Sequence, residues 1–167
     1  MERFGIREAT EADCAVILAF IRGLAEYEHM ADQVEATEAL LREWVFEKRK
    51  AEVLLALEGE RAVGFALFFH NFSTFLGRAG IYLEDLFVLP ECRGRGHGKR
   101  LLQALAALAV ERGCGRLEWS CLDWNRPSIE FYLSLGARPL EDWTVYRLTG
   151  ETLRALAEAR EGGTHEG

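Results

Sequence analysis

Apolar positions along the 167-residue chain change their spacing from segment to segment, and the changes predict its elements. "RFGIR" (3–7) reads as a short strand. Thr10 then starts a helix that runs through Ala25, with Asp13 in the third helical position as a loose capping-box match. A second helix begins after Thr37 and carries Leu40, Leu41, Trp44 and Val45 on one side. "EVLLALEGERAVGFALFF" (52–69) divides about Gly59-Glu60 into two apolar runs, the form of a hairpin. "GIYLEDLFVL" (80–89) is a further strand, and "GKRLLQALAALAVERG" (98–113) is a helix stopped by Gly113. "RLEWSCL" (116–122) sets Leu117, Trp119 and Cys121 on alternate positions of a strand. "SIEFYLSLG" (128–136) is a short helix closed by Gly136, "WTVYRL" (143–148) a last strand, and "ETLRALAEA" (151–159) a terminal helix. The order predicts an α/β single domain over 1–157, with hairpin strands ahead of a β-loop-α-β crossover in a mixed sheet. Residues 158–167, with "REGGTHEG" at their end, are expected to form a disordered tail.

Charge narrows the classes of function. Twenty basic against 27 acidic residues leave a net charge of −7. A general nucleic-acid or anionic-membrane binder carries a broad basic surface instead. The charged start "MERFGIREAT" lacks the apolar core of a signal peptide, and no apolar run approaches the ~18 residues of a membrane span. A cytoplasmic location is expected. Cys14, Cys92, Cys114 and Cys121 show no C-x-x-C and no zinc spacing, so free thiols and no metal are expected.

One stretch departs from the acidic background. "RGRGHGKRLL" (93–102) puts three glycines and four cations ahead of an apolar-periodic helix. Unpaired N–H groups and the macrodipole make such a turn an anion site, with phosphate its natural guest. Two familiar phosphate loops fail on spacing. A P-loop would need glycine at Arg93 and a hydroxyl at Arg100, and a dinucleotide fingerprint would need glycine at Lys99 or Leu101. What remains is Arg93-x-x-Gly96-x-Gly98 between a strand and a helix.

"EDLFVLPECRGRGHGKRLL", followed by "DWNRPSIEFYLSLGA", resembles the GNAT N-acetyltransferase superfamily. "FGIREATEADCAVILAFIRGLAEYEHMADQV", "YLEDLFV" and "WNRPSIEFY" further resemble its diamine branch, the spermidine/spermine and thialysine N-acetyltransferases, over about residues 3–157. The resemblance implies a GNAT fold whose mixed sheet is flanked by helices, with a splayed strand pair at the cofactor site. It implies acetyl-coenzyme A as cosubstrate, with its pyrophosphate surrounded by the amides of Gly94, Arg95, Gly96, His97, Gly98 and Lys99. Countercharge would come from Arg93, Arg95, Lys99 and Arg100. His97 would contribute its amide rather than act as a base. Backbone groups of Leu86, Phe87 and Val88 would hold the pantetheine and polarise the thioester carbonyl.

Acyl transfer to an amine requires loss of a proton from the amine, stabilisation of an oxyanion and protonation of the leaving thiolate. Tyr132 matches the family's general acid, and a tyrosine with an ordinary pKa of about 10 keeps its proton until a thiolate forms. Glu84 matches the family's acidic position and serves either as a base through water or as an electrostatic contact for an alkylammonium ion. Neighbouring Asp85 would face the other side of a regular strand. Asn125 and Ser128 cap the helix of Tyr132 or bond the cofactor.

For the acceptor, Tyr27 and Glu28 match residues that contact the polyamine in the branch, and Glu26 adds charge beside them. Trp119 and Ser120 match positions near the substrate tunnel, while Trp124 and Trp143 line it or the core. "RPLEDWTVYRL" lacks residues that include a substrate carboxylate in the branch, for which Glu141 or Asp142 could substitute. The implied function is acetyl transfer from acetyl-coenzyme A to a polyamine, diamine or lysine-like amine by direct attack in a ternary complex. Acetylation of a protein N-terminus or lysine is an alternative, and so is a coenzyme A-binding sensor with little turnover. The resemblance also implies a homodimer.

Overall fold

A strand that is apolar without alternation needs cover on both faces. Val53, Leu54, Leu55 and Ala56 form such a run, and all four are buried. The computed structural model describes residues 3–160, and its contacts divide into two compact units, Met1–Ser120 and Cys121–Gly167.

The first unit holds a five-stranded sheet in the order β1 (Phe4–Glu8), β2 (Glu52–Glu58), β3 (Arg61–Ser73), β4 (Arg78–Val88) and β5 (Leu117–Trp119). The first four strands are antiparallel neighbours, and β5 lies parallel to β4. The expected hairpin turns at Gly59, whose φ of 61° is one that glycine adopts without penalty. The expected crossover is present as β4, α3 (His97–Glu111) and β5. Gly113 (φ 72°) stops α3, with the Cys114 amide returning to the Ala109 carbonyl at 2.8 Å.

Helix α1 (Cys14–Tyr27) covers one face. Its Cys14, Ile17, Leu18 and Phe20 join Val53, Leu55, Phe65 and Phe87 in one buried cluster. By strand alternation Leu54 and Ala56 face the other side, where α3 packs on the sheet through buried Leu101, Leu102 and Leu105. Gly23 lets α1 approach β4 closely, since a Cβ there would sit 2.7 Å from Phe87 Cζ.

The elements differ locally from those expected. A 3-10 turn over Glu11–Asp13 precedes α1, and the helix continues two residues past Ala25 to Tyr27. The helix after Thr37 starts as α2 (Glu38–Leu41), capped by the Thr37 hydroxyl, but widens into a π turn over Arg42–Glu47. "RLEWSCL" forms a ladder only at Leu117–Trp119. β4 begins two residues before Gly80, because β3 runs on to Ser73 and pairs with it through Ser73↔Arg78.

The second unit contains α4 (Arg126–Ser134) and α5 (Gly150–Glu158). Asn125 caps α4, its side-chain oxygen accepting from the Ser128 amide at 3.4 Å, and Gly136 (φ 90°) follows the helix end. The expected strand at 143–148 does not form. An extended pattern becomes a strand only when its backbone groups find a ladder, and no strand pairs with these residues among those described. Of the expected disordered tail, Glu158 still belongs to α5, and 161–167 lie outside the described residues.

Candidate active site

β4 and β5 part company early. They pair only at Ile81↔Leu117, Tyr82↔Glu118 and Leu83↔Trp119, so beyond Leu83 the β4 edge on that side has no ladder partner among the described residues. The edge holds Leu86, Phe87 and Val88, as the expected splayed pair requires; the Phe87 ring is buried in the core, and the β4–β5 ladder does not reach it. On the opposite edge the register with β3 steps from Leu67↔Asp85 to Phe68↔Leu83, leaving Glu84 as the extra residue of a bulge. Bulges re-aim side chains and are frequent beside active sites.

The chain then turns through Pro90–Cys92 into the glycine loop. Gly94 (φ 78°) and Gly96 (φ 86°) take left-handed conformations, and α3 begins at His97. The Arg100 amide bonds the Gly96 carbonyl at 3.0 Å as the first helical turn closes, so the amides of His97, Gly98 and Lys99 precede that turn. A Cβ built on Gly94, Gly96 or Gly98 would meet no protein atom within 4 Å. Open space around the glycines, beside amides that precede the first intrahelical bond, fits a diphosphate.

The cations of the loop have distinct surroundings. Arg93 donates from Nε to the Val88 carbonyl at 3.1 Å, and its guanidinium lies over Tyr27 and Phe87. Arg95 donates to both oxygens of Glu58 at 2.8 Å. His97 is buried, with Nε2 2.8 Å from Glu58 Oε1, so its ring is engaged inside the fold. Arg100 lies over Phe4, and its Nη1 is buried with no hydrogen-bond partner among the described residues. Lys99 is exposed. No local pattern points to Glu58, which stands 37 and 39 residues from its two partners.

Carboxylates gather where α1 ends against β4. Glu84 is exposed at the bulge, while Asp85 is pushed up to about 7, first by burial and then by repulsion from Glu84 and Glu28. Burial also raises Glu28, the residue after Tyr27. Strict alternation would have turned Asp85 away from Glu84's surroundings; at the bulge it feels both neighbouring charges. Sequence spacing could not reveal that burial, and Asp85 was missed as a titrating group for that reason. Ser120 Oγ lies 2.7 Å from the Tyr82 hydroxyl, and Trp119 is half-buried on β5. The first unit therefore brings Tyr27, Glu28, Glu84, Asp85, Arg93 and the glycine loop onto connected elements.

In the second unit, Asn125, Ser128 and Tyr132 share α4. Asn125 is buried, and Tyr132 is half-buried with its ring 5.6 Å from that of Phe131. Trp124 and Trp143 are substantially exposed, and Glu141 and Asp142 are exposed. No group of three or more His, Cys, Asp or Glu residues is placed to hold a metal among the described residues.

A profile of the acetyltransferase (GNAT) family matches residues 18–137, from α1 through the glycine loop and past Tyr132. The chain belongs to that family. It is an N-acetyltransferase, moving an acetyl group to an amine. GNAT enzymes generally take the acetyl group from acetyl-coenzyme A. The chain is 42% identical over 164 residues to a Bos taurus thialysine N-epsilon-acetyltransferase, covering 91% of this chain and 96% of that one. It is 33% identical over 168 residues to a Homo sapiens spermidine/spermine N(1)-acetyltransferase-like protein 1, covering 94% of this chain and 24% of that larger protein. Among solved structures, an integron cassette protein from the mobile metagenome of V. cholerae superposes with a TM-score of 0.79 at 29% identity, over 93% of this chain and 98% of its own. The resemblance to the diamine branch and the GNAT fold are thereby established.

Proposed function

We propose that this GNAT enzyme acetylates the terminal amine of a small dicationic acceptor, a diamine, polyamine or lysine-like amino acid, using acetyl-coenzyme A in a ternary complex. The observation that carries the reading is the group of Glu28, Glu84 and Asp85 at the junction of α1 and β4, near the cation-stacking Tyr27. Clustered carboxylates favour a cationic acceptor, and their mutual repulsion eases when an ammonium ion arrives. The 42% identity to a thialysine acetyltransferase supports the lysine-like end of that range.

The glycine loop amides from Gly94 to Lys99 hold the pyrophosphate, with Lys99 and Arg100 adding positive charge, while Arg93 braces the loop against Val88. The unpaired β4 edge at Leu86–Val88 holds the pantetheine arm and presents an amide to the thioester oxygen. Tyr27, Glu28, Trp119 and Ser120 line the acceptor side. Glu84 and Asp85 take the amine's proton directly or through water; a carboxyl titrating near 7 is matched to that task at neutral pH. Tyr132 protonates the departing thiolate, and Asn125 and Ser128 set its helix. The enzyme works in the cytoplasm as a homodimer, which the exposed apolar residues of 143–148 support: Trp143, Val145 and Tyr146 are 78%, 80% and 91% exposed.

The direct test is Tyr132→Phe. The variant is expected to lose about 100-fold in kcat while binding coenzyme A as the parent does. An unchanged kcat would remove Tyr132 from the chemistry.

A further inference from the structure

Glu58 ends β2, away from the acidic group at α1 and β4, yet it is only 7% exposed. A buried carboxylate is costly unless it is paired and hydrogen-bonded. Here the pairing among the described residues comes from the start of α3 and its loop: Arg95 Nη1 donates to both oxygens, and His97 Nε2 lies 2.8 Å from Oε1. These bonds hold the Glu58 carboxyl below the usual range, His97 first and Arg95 second. His97 is itself 3% exposed and is wedged edge-on against Phe4, with ring centroids 4.9 Å apart. Phe4 is the residue opposite Glu58 in the β1–β2 ladder, so carboxylate and ring form one platform.

The two residues that Glu58 holds, Arg95 and His97, stand on either side of Gly96, whose φ of 86° sets the turn into α3. A loop with glycines at 94, 96 and 98 has large conformational freedom when untethered. Fixing its amides before the ligand arrives removes that ordering cost from binding. Arg95 also has its charge answered by Glu58, although sequence alone assigned that charge to the pyrophosphate.

We propose that Glu58 is a positioning residue of the donor site: it accepts hydrogen bonds from Arg95 and His97 on both sides of Gly96 and so fixes the amides that receive the pyrophosphate of acetyl-coenzyme A. This rests on the reading of 93–99 as the pyrophosphate loop. The residue acts on the half of the donor that carries phosphate and leaves the thioester end alone.

The experiment compares Glu58→Gln, Arg95→Gln and a loop control, Gly98→Glu, with the parent enzyme. Gly98 has no positive φ and open space around it, so the glutamate is tolerated by the backbone and puts a negative charge in the cradle. Binding of coenzyme A is measured by calorimetry, and KM is measured for acetyl-coenzyme A and for acetylpantetheine, which lacks the pyrophosphate. Glu58→Gln and Arg95→Gln are expected to weaken coenzyme A binding and raise the acetyl-coenzyme A KM by about tenfold, the scale of one charge-assisted bond. For Glu58→Gln, which touches no part of the donor, the KM for acetylpantetheine and the kcat should stay within about twofold of the parent. Arg95 is half-exposed, so its substitution keeps the test open should Glu58→Gln fold poorly. Equal losses on both donors would mean general damage and overturn the proposal. Intact coenzyme A binding in Glu58→Gln and Arg95→Gln with binding lost in Gly98→Glu would overturn it while the loop reading stands. Intact binding in Gly98→Glu as well would overturn the loop reading and the proposal together.

Discussion

At the scale of single residues, the most perturbed group of the site is Asp85, held near 7 by burial and by the charges of Glu84 and Glu28. An unfolded aspartate titrates near ~4, so between about 4 and 7 the folded protein binds this proton more tightly than the unfolded chain. Stability contributed by the neutral carboxyl is therefore lost as pH rises through that window. Asp85→Asn, which never ionises, should lack that part of the decline, read as the difference in denaturation midpoint between pH 5 and pH 8. The same variant should flatten the rise of kcat/KM around pH 7. An unaltered pH dependence of stability would show that Asp85 is not buried in its charged form. The glycine loop was legible in the sequence because its chemistry is local: glycine spacing, cations and a following helix lie within ten residues. Asp85's shift and Glu58's bonds were not, because burial and partners 37 residues away depend on how the sheet assembles.

At the scale of elements, the position of α1 against β4 decides where Tyr27 and Glu28 stand. That approach depends on Gly23, where a methyl would come within 2.7 Å of Phe87 Cζ. Gly23→Ala should destabilise the protein by about 1–3 kcal/mol through overpacking and raise the amine KM more than the donor KM. A wild-type midpoint and unchanged KM values would show that Phe87 moves aside freely. Periodicity made α1, α3 and the β2–β3 hairpin legible, since each has one dominant spacing, and Gly59 and Gly113 mark the hairpin turn and the end of α3. "HNFSTFLGRAG" concealed the β3–β4 hairpin, because Phe72 and Phe75 stand three apart rather than alternating and no two-residue turn signal divides the segment. "WTVYRL" reads as a strand for sound reasons of composition, yet pattern cannot supply the partner that a ladder requires.

At the scale of the whole molecule, an acidic chain carries one cationic loop, and both charge patterns suit an enzyme for a polyanionic donor and a cationic acceptor. The proposed homodimer predicts a mass in solution near twice 18.9 kDa. A monomer at micromolar concentration would contradict that. The central claim is the acceptor class, and coenzyme A thiol release from acetyl-coenzyme A tests it most directly, with spermidine, putrescine, thialysine, lysine and basic peptides offered in parallel. Turnover concentrated on one or more of the small amines, with the peptides slow, is the predicted result. Turnover confined to peptides, or absent with every amine despite coenzyme A binding, would contradict the account.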